Sequence, residues 1–186
     1  MHQHKHSYNE AERRQWQEPE PILQKIGLKP GMVFMDIGCG DGFFALPAAR
    51  IAGPDGAVHG VDANAESLYD LRLKAEKEGL TNITLVISNA EEYRLCQGCA
   101  DIVFFGNCLH DFNEPDKVLA NAKSIIKPGG IIADLDWKKK PTTRGPPQEI
   151  RFDEQKATAL FTDAGLKVES ITDSGQDHYL LIARSG

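Results

Sequence analysis

The sequence lacks long apolar runs and has few cysteines. None of its apolar stretches approaches the roughly 20 consecutive residues that span a bilayer, so we expect neither a membrane-spanning helix nor a membrane partner. Its four cysteines, at positions 39, 96, 99 and 108, do not suggest the disulfide framework of a secreted domain, and we expect reduced thiols. The N-terminus is polar, and no apolar signal-peptide core follows it. The sequence therefore predicts a soluble, cytoplasmic protein.

An excess of positive charge is also missing. Lys and Arg total 21 against 27 Asp and Glu, a formal net charge of −6, whereas surfaces that bind nucleic acid are usually basic. A short basic run, Lys138-Lys139-Lys140, is interpreted as a solvated loop. We therefore expect no nucleic-acid partner. The length of 186 residues and the hydrophobic content of 41% suit one domain with a full core.

Metal-ligating residues are not clustered along the chain. Cys96 and Cys99 have the spacing of a metal-binding pair, but the sequence has no second pair at a fitting separation. A structural zinc ion takes four ligands. The histidines at positions 2, 4 and 6 are interpreted as part of a disordered terminus. We therefore expect no metal site.

The chain does contain a glycine-rich loop directly after an apolar strand. Residues 33–42 read Val-Phe-Met-Asp-Ile-Gly-Cys-Gly-Asp-Gly, with glycines at alternate positions 38, 40 and 42. Because glycine has no Cβ, a ligand can lie directly against such a loop. Ligands of open α/β sheets bind beyond the carboxyl ends of the strands. The segment therefore predicts a cofactor pocket.

Apolar runs alternate with helical patterns over the rest of the chain. Strands are predicted at 32–37, 57–61, 83–87, 101–105, 131–135, 167–172 and 178–183, and helices at 17–26, 43–50, 65–78, 115–126 and 153–164. This alternation predicts a mostly parallel sheet with right-handed crossovers. The short connection 173–177 contains a glycine and predicts a closing hairpin. We expect an N-terminal cap segment over residues 1–21 and one domain over 22–186.

Two features narrow the choice of cofactor. The dinucleotide fingerprint Gly-x-Gly-x-x-Gly needs a third glycine where Phe43 stands, and no Gly-Lys-Ser/Thr of a P-loop follows. An NAD-binding protein is therefore the lesser alternative. Asp62 ends the second predicted strand about 20 residues beyond the loop, where an acid can accept hydrogen bonds from ribose hydroxyls. The position favours this role, and the alternative is that Asp62 or Asn64 caps the next helix.

Together these residues resemble the class I S-adenosylmethionine-dependent methyltransferases, and in particular the type 11, ubiquinone/menaquinone methyltransferase-like group. The resemblance covers about residues 22–184 and rests on residues 33–42, Asp62, 107–111 (Asn-Cys-Leu-His-Asp) and 126–130 (Ile-Lys-Pro-Gly-Gly). It implies a Rossmann-like three-layer α/β sandwich. Its seven-stranded, mostly parallel sheet would have the order 3-2-1-4-5-7-6, with the last strand antiparallel. The implied cofactor is S-adenosyl-L-methionine.

The resemblance also implies which residues bind this cofactor. Asp36 would orient the loop near the amino group, Asp62 would bind the ribose, and the Asn107 carbonyl would contact the methionine part. The adenine would lie against Ala63 and the segment from Asn89 to Glu91. The full implied set is Asp36, Gly38, Cys39, Gly40, Asp62, Ala63, Asn89, Ala90, Glu91, Asn107 and Leu109.

The acceptor would meet the N-terminal segment and the region after the fifth strand. In this fold such N-terminal segments often lie across the cleft, so we expect the acceptor to contact Tyr8, Arg13, Trp16, His110 and Trp137. His110 is the candidate catalytic general base, because an imidazole titrates near neutral pH. A histidine that lines the pocket or begins a helix, without a proton role, remains the alternative.

We expect methyl transfer to a small-molecule acceptor by in-line displacement. The activated sulfonium leaves the protein mainly the task of aligning donor and acceptor. Residues 107–110 lack the Asn/Asp-Pro-Pro-aromatic pattern of methyltransferases that modify amino groups of nucleic-acid bases. A protein methyltransferase, and a non-catalytic cofactor-binding or regulatory protein, remain open. So does the choice between a monomer and a homodimer.

Overall fold

Seven strands form one sheet in a computed structural model, which describes residues 9–94 and 96–185. The strands are β1 (Val33–Ile37), β2 (Ala57–Asp62), β3 (Ile83–Ile87), β4 (Ala100–Gly106), β5 (Ile126–Trp137), β6 (Leu166–Ser174) and β7 (His178–Ser185). Their order in the sheet is β3-β2-β1-β4-β5-β7-β6. The first five strands pair in parallel, whereas β7 pairs antiparallel to β5 and β6. The predicted fold and strand order are confirmed.

Helices cover both faces of the sheet. They are α1 (Glu10–Arg13), α2 (Pro19–Lys25), α3 (Ala45–Ala52), α4 (Ala65–Glu78), α5 (Pro115–Ile125) and α6 (Glu154–Asp163), and a 3₁₀ turn spans Leu109–Asp111. One apolar cluster joins the sheet to α2, α3 and α4. A second cluster joins it to α5 and α6. The three-layer architecture follows because each face of a parallel sheet must be covered.

Local capping explains why α4 has the bounds that its sequence predicts. The Asn64 side chain accepts hydrogen bonds from the backbone N–H groups of Glu66 and Ser67, at 3.0 and 3.2 Å. At the other end, Gly79 adopts the left-handed conformation with φ +68° that ends many helices. Asn64 is therefore the cap of α4, and Asp62 is free for another role.

Two boundaries differ from the predictions. The predicted Pro-Gly-Gly turn before the fifth strand forms a bulge inside β5, because Ala100 pairs with Ile126 and Ile102 next pairs with Ile131. The closing hairpin is tighter than expected, since its ladder continues to the pair Ser174 and His178. Residue 21, the predicted end of the N-terminal cap segment, lies inside α2, and this domain boundary stays a prediction.

Two further expectations concern the ends and the thiols of the chain. Cys96 and Cys99 form a disulfide with Cα atoms 6.0 Å apart, so the expectation of reduced thiols is wrong for this pair. The turn at Gly98, with φ +60°, brings the two side chains together. Cys39 and Cys108 are free.

Tyr8 and the N-terminal histidines lie outside the described residues. Within residues 9–94 and 96–185 no helix is long and apolar enough to cross a membrane.

Candidate active site

A cavity opens where β1 and β4 end at the centre of the sheet. Both strands are parallel and adjacent there, which is the place where open α/β sheets bind ligands. The wall comes from the N-terminal segment, the glycine loop, the turn after β4 and the end of β5. It consists of Arg13, Trp16, Asp36, Gly38, Cys39, Gly40, Asp41, Phe43, Phe44, Gly106, Asn107, Cys108, His110, Asp111, Trp137 and Pro146.

The structure brings most of the residues in the sequence-predicted site to this cavity. From the cofactor set, Asp36, Gly38, Cys39, Gly40 and Asn107 border it, and from the acceptor set Arg13, Trp16, His110 and Trp137 do. Leu109 does not, because its side chain is fully buried in the apolar cluster on the α5 side of the sheet. The remaining cofactor residues, Asp62, Ala63 and the segment 89–91, lie outside the wall of the cavity.

The three glycines of the loop do different things. All have positive φ, at +77°, +54° and +94° for Gly38, Gly40 and Gly42. A Cβ on Gly38 would lie 2.8 Å from Cys108 Sγ, and one on Gly42 would meet the Leu71 side chain, whereas one on Gly40 would find open space. Gly38 and Gly42 therefore allow close packing, and Gly40 presents bare backbone to the cavity.

Asp62 holds the glycine loop in place from the neighbouring strand. One carboxylate oxygen accepts a hydrogen bond from the Gly40 N–H at 2.8 Å, and the other accepts one from the Asn64 N–H, also at 2.8 Å. A carboxylate offers about four lone-pair positions, so half of its accepting capacity remains for a ligand. Because β1 and β2 are parallel neighbours, the acid that ends β2 reaches the loop that follows β1.

The Glu91 side chain in the segment 89–91 forms hydrogen bonds within the protein. The Glu91 carboxylate accepts hydrogen bonds from the backbone N–H groups of Asn113 and Glu114, at 2.9 and 3.0 Å. The other oxygen accepts one from the Asn89 amide at 3.0 Å. These contacts, led by the Glu114 N–H, lower the pKa of Glu91. One Glu91 oxygen is thus engaged just before α5 and the other by Asn89, and the Ala90 carbonyl accepts a hydrogen bond from the Asn121 amide at 3.1 Å. Contact of this segment with adenine stays a prediction.

Asp36 carries a buried carboxyl group at the floor of the cavity. The residue is 2% exposed, and its Oδ2 atom has no hydrogen-bond partner among the described residues. Burial raises the pKa of Asp36 to about 7, and the nearby charge of Asp62 adds to this while Arg13 opposes it. A buried oxygen without a partner normally marks a missing ligand or a functional group. The arrangement suits a cationic group, which would complete the hydrogen bonds of Asp36.

His110 forms a close pair with a residue that the sequence analysis missed. Its Nδ1 atom lies 2.7 and 2.8 Å from the two carboxylate oxygens of Asp136 at the end of β5. Its Nε2 atom lies 3.4 Å from Oδ1 of Asp111. Burial by itself lowers the pKa of His110, but the charge and hydrogen bond of Asp136 outweigh it, so the pKa is raised. Asp136, like Asp36, is an acidic residue near the end of an apolar strand, and this pattern in the sequence would have indicated it.

Trp16 packs the N-terminal segment against the rim of the cavity. Its ring is stacked on His178, with centroids 5.5 Å apart and planes 3° from parallel, and lies 5.4 Å from the Trp137 ring. Burial lowers the pKa of His178 to about 4, so its ring is neutral at physiological pH. Beside it, the Arg13 guanidinium lies 3.9 Å from the centre of the Phe43 ring. These aromatic surfaces form one side of the opening.

Arg151 organises the loop that follows β5. The side chain is buried, with the residue 3% exposed, and it donates hydrogen bonds to four backbone carbonyls and one hydroxyl of this loop. The acceptors are the carbonyls of Lys138, Lys140, Arg144 and Pro146 and the hydroxyl of Thr142, at 2.6 to 3.2 Å. Pro146 borders the cavity, so the buried guanidinium positions this part of the wall.

Comparisons with known proteins agree with this geometry. A family model described as a methyltransferase domain matches residues 28–181. The chain is 28% identical to a demethylmenaquinone methyltransferase of Geobacillus kaustophilus over 72% of this chain and 56% of that protein. It is 32% identical to the ubiquinone/menaquinone biosynthesis C-methyltransferase UbiE of Vibrio parahaemolyticus over 61% of this chain and 44% of that protein. The chain thus spans about half the length of these curated relatives.

A solved structure shows the same similarity. The crystal structure of an S-adenosylmethionine-dependent methyltransferase from Aquifex aeolicus matches with a TM-score of 0.89 and 28% identity. The match covers 97% of this chain and 100% of that one. The chain therefore belongs to the methyltransferase domain family, as its resemblance to the class I S-adenosylmethionine-dependent methyltransferases predicted.

Proposed function

We propose that the protein transfers a methyl group from S-adenosylmethionine to a small molecule by in-line displacement. The observation that carries this proposal is the combination of Asp36 and Gly40 at one cavity. Asp36 places an unpartnered buried carboxyl oxygen there, and Gly40 leaves open space above its backbone. A zwitterionic, nucleoside-bearing molecule such as S-adenosylmethionine supplies an ammonium group for Asp36 and a methionine chain that can lie against the bare backbone of Gly40.

The residues present fit this cofactor. Asp36 would bind its ammonium group, and the backbone from Gly38 to Gly40 would lie against its methionine part. Asp62, with accepting capacity left after its contacts to Gly40 and Asn64, would bind the ribose hydroxyls. Ala63 and the backbone of Ala90 would border the adenine. When bound, the sulfonium supplies an activated methyl group, and the protein's task is to align an acceptor with it.

The acceptor side of the cavity favours a flat, aromatic molecule. Trp16 and Trp137 border it, and the neutral ring of His178 stacks behind Trp16. Aromatic side chains provide large apolar contact areas to planar ligands. The relatives named for demethylmenaquinone and for ubiquinone/menaquinone biosynthesis support the same class. We therefore propose a reduced quinone or another phenolic ring as the acceptor, in preference to a protein side chain.

Cofactor binding tests the proposed function. Isothermal calorimetry should show S-adenosylmethionine binding to the wild-type protein. Asp62→Ala should weaken it by about 1.5–3 kcal/mol, or roughly 10- to 150-fold, the scale of a hydrogen bond to a charged group. Asp70→Ala, which removes an exposed acid from α4, is the matched control and should leave the affinity unchanged. Absence of binding to the wild-type protein would exclude the proposed function.

Cofactor affinity should also depend on pH through Asp36. Its pKa is raised to about 7, so at lower pH the carboxyl is mostly neutral, and an ammonium ligand must displace its proton. Binding should therefore tighten as pH rises, by about fivefold to tenfold between about pH 6 and 7.5. Calorimetry at several pH values measures this, with proton release visible in buffers of different ionisation enthalpy. In Asp36→Asn the dependence should flatten; an equal slope in the variant would count against Asp36 as the group responsible.

A further inference from the structure

A buried histidine borders the cavity with a buried carboxylate directly behind it. The His110 and Asp136 side chains are each 1% exposed, and Nδ1 lies 2.7 Å from Asp136 Oδ1. The remaining ring nitrogen, Nε2, lies 3.4 Å from a carboxylate oxygen of Asp111, whose side chain is 38% exposed. Nδ1 therefore contacts the buried Asp136, and Nε2 lies beside the partly exposed Asp111.

We propose that Asp136 fixes His110 as the general base of the reaction, with Nε2 as the nitrogen that takes the proton lost by the acceptor. The methyl acceptor is then a molecule that must lose a proton, such as a phenolic hydroxyl or the ring carbon beside one. This inference rests on the proposed methyl transfer. His110 is the catalytic residue, and Asp136 is a positioning residue that acts through it.

The position of Asp136 is itself fixed by the backbone. Its Oδ1 accepts a hydrogen bond from the Trp137 N–H at 2.7 Å, and its Oδ2 accepts one from the His110 N–H at 3.4 Å. The carboxylate therefore cannot turn away from the ring. With Nδ1–H donating to Asp136, the neutral imidazole carries its lone pair on Nε2, which is the tautomer that a base at the cavity requires.

The charges around His110 favour the protonated ring. Asp136 and Asp111 both raise its pKa, whereas the Arg151 guanidinium and burial lower it. Asp134 lies two residues along β5, where burial and the charge of Asp136 raise its own pKa well above the ordinary value.

The remaining neighbours do not supply a competing base. Tyr179 donates a hydrogen bond to Asp134 at 3.3 Å, and burial keeps the pKa of its hydroxyl above the ordinary value. His178 is neutral, because burial lowers its pKa to about 4. Burial also raises the pKa of the Cys108 thiol well above its usual range. Asp36, whose pKa is raised to about 7, is assigned to the ammonium group of the cofactor, which leaves His110 as the base among the described residues at this end of the cavity.

The proposed step balances in atoms and charge. In a transfer to a hydroxyl, the acceptor oxygen forms a bond to the methyl carbon while the bond from that carbon to sulfur breaks. The electron pair of the broken bond stays on sulfur, and the hydroxyl proton moves to Nε2 of His110. The positive charge of the sulfonium thus ends on the imidazolium, whose Nδ1–H faces Asp136 at 2.7 Å.

The titration of His110 tests the pair without any acceptor. Nitrogen NMR of the imidazole, in the free protein and in its complex with S-adenosylhomocysteine, should show the Nδ1–H tautomer and a pKa above the ordinary value in the wild type. Asp136→Asn should lower that pKa and mix the tautomers. Asp111→Asn, the matched control, should lower the pKa less and keep the Nδ1–H form. An unchanged titration and tautomer in Asp136→Asn would overturn the proposal.

Turnover with two kinds of probe separates a base from a structural residue. With 1,4-naphthohydroquinone as acceptor, Asp136→Asn should lower kcat by about 10- to 100-fold and move the acid limb of its pH profile to lower pH. His110→Gln should lower kcat by about 100-fold or more. Thiophenol is already ionised at about pH 8 and needs no base, so its methylation should fall less than threefold in both variants. Equal losses with both probes would overturn the role of the pair.

Two further outcomes are informative. Methylation of thiophenol but not of the hydroquinone by the wild type would overturn the acceptor assignment, whereas failure to bind S-adenosylmethionine would count against the proposed function instead. If Asp136→Asn does not fold, Asp136→Glu replaces it. This variant keeps the charge, so the His110 pKa should stay raised, and its displaced carboxylate should still reduce hydroquinone turnover selectively. Unselective loss in Asp136→Glu would contradict the proposal.

Discussion

Replacing Arg151 by methionine is expected to lower the free energy of unfolding by about 3 kcal/mol or more. Methionine keeps much of the apolar stem but leaves four backbone carbonyls and one hydroxyl of the loop 138–146 without their buried donor. Each buried acceptor left without a partner costs about 1–3 kcal/mol unless water reaches it. Since the loop can partly open to water, the total should lie below the sum of these costs. Urea denaturation measures the change.

The same substitution should expose the loop and widen the cavity. Pro146 borders the cavity and accepts two of the hydrogen bonds from Arg151, so limited proteolysis should cut the variant within 138–150. Cofactor affinity should be retained, because the hydrogen bonds that this variant loses lie in the loop 138–146 and not in the glycine loop. Arg50→Met is the matched control. It breaks the ion pair between Arg50 and Glu78, whose side chains are 41% and 35% exposed, respectively, and it should cost less than about 1 kcal/mol. Equal losses in both variants would contradict the role assigned to Arg151.

Gly42→Ala should destabilise the protein by about 3 kcal/mol, the second large effect. The position has φ +94°, and an added Cβ would meet the Leu71 side chain and lie 3.3 Å from Leu46 Cγ. Forcing an L-residue into the left-handed region costs about 1–2 kcal/mol, and overfilling a packed core costs about 1–3 kcal/mol more. Leu71 is fully buried and has little room to move. Thermal or urea unfolding measures the loss.

Substitutions at two other glycines separate the conformational cost from the packing cost. Gly31 has φ +82° and no atom within 4 Å of an added Cβ, so Gly31→Ala should cost only the conformational part, about 1–2 kcal/mol. Gly40→Ala should cost a similar amount in stability but place its methyl in the cavity, and it should weaken S-adenosylmethionine binding. If Gly42→Ala were no worse than Gly31→Ala, the packing of Leu71 against the loop would be looser than the structure indicates.

The cofactor half of the site was largely predictable because its parts follow neighbouring strands in order. Asp36, Gly38 and Gly40 are contiguous with β1, and Asp62 ends β2. Once the alternation of strands and helices predicts a parallel sheet, the carboxyl ends of β1 and β2 must meet. The sequence did not reveal that Asp62 accepts a hydrogen bond from the Gly40 N–H at 2.8 Å, because this contact depends on the register of the two strands. Its binding of ribose stays a prediction.

The other half of the site depends on contacts between distant segments. Asp136 reaches His110 only because β5 lies beside β4 and extends to Trp137. The Glu91 carboxylate accepts a hydrogen bond from the Asn113 N–H, 22 residues away, which the sequence did not reveal, and its contact with adenine stays a prediction. Such pairings have no periodic pattern in the sequence, since a hydrogen bond between two polar side chains leaves no trace in hydrophobicity or turn residues.

By itself, the sequence determined the strands, the helices and the glycine-rich loop, because helix caps, apolar periodicity and glycine positions act over a few residues. The strand order and the cofactor class came from the resemblance to the class I S-adenosylmethionine-dependent methyltransferases. The tertiary structure decided which polar groups meet inside the fold. It joined His110 to Asp136, gathered the carbonyls of the loop 138–146 around Arg151 and stacked Trp16 on His178. The contact of Trp16 with His178 joins segments from both ends of the chain, and His110 and Asp136 are 26 residues apart. Only the packing of the sheet with its helices brings such segments within reach of one another.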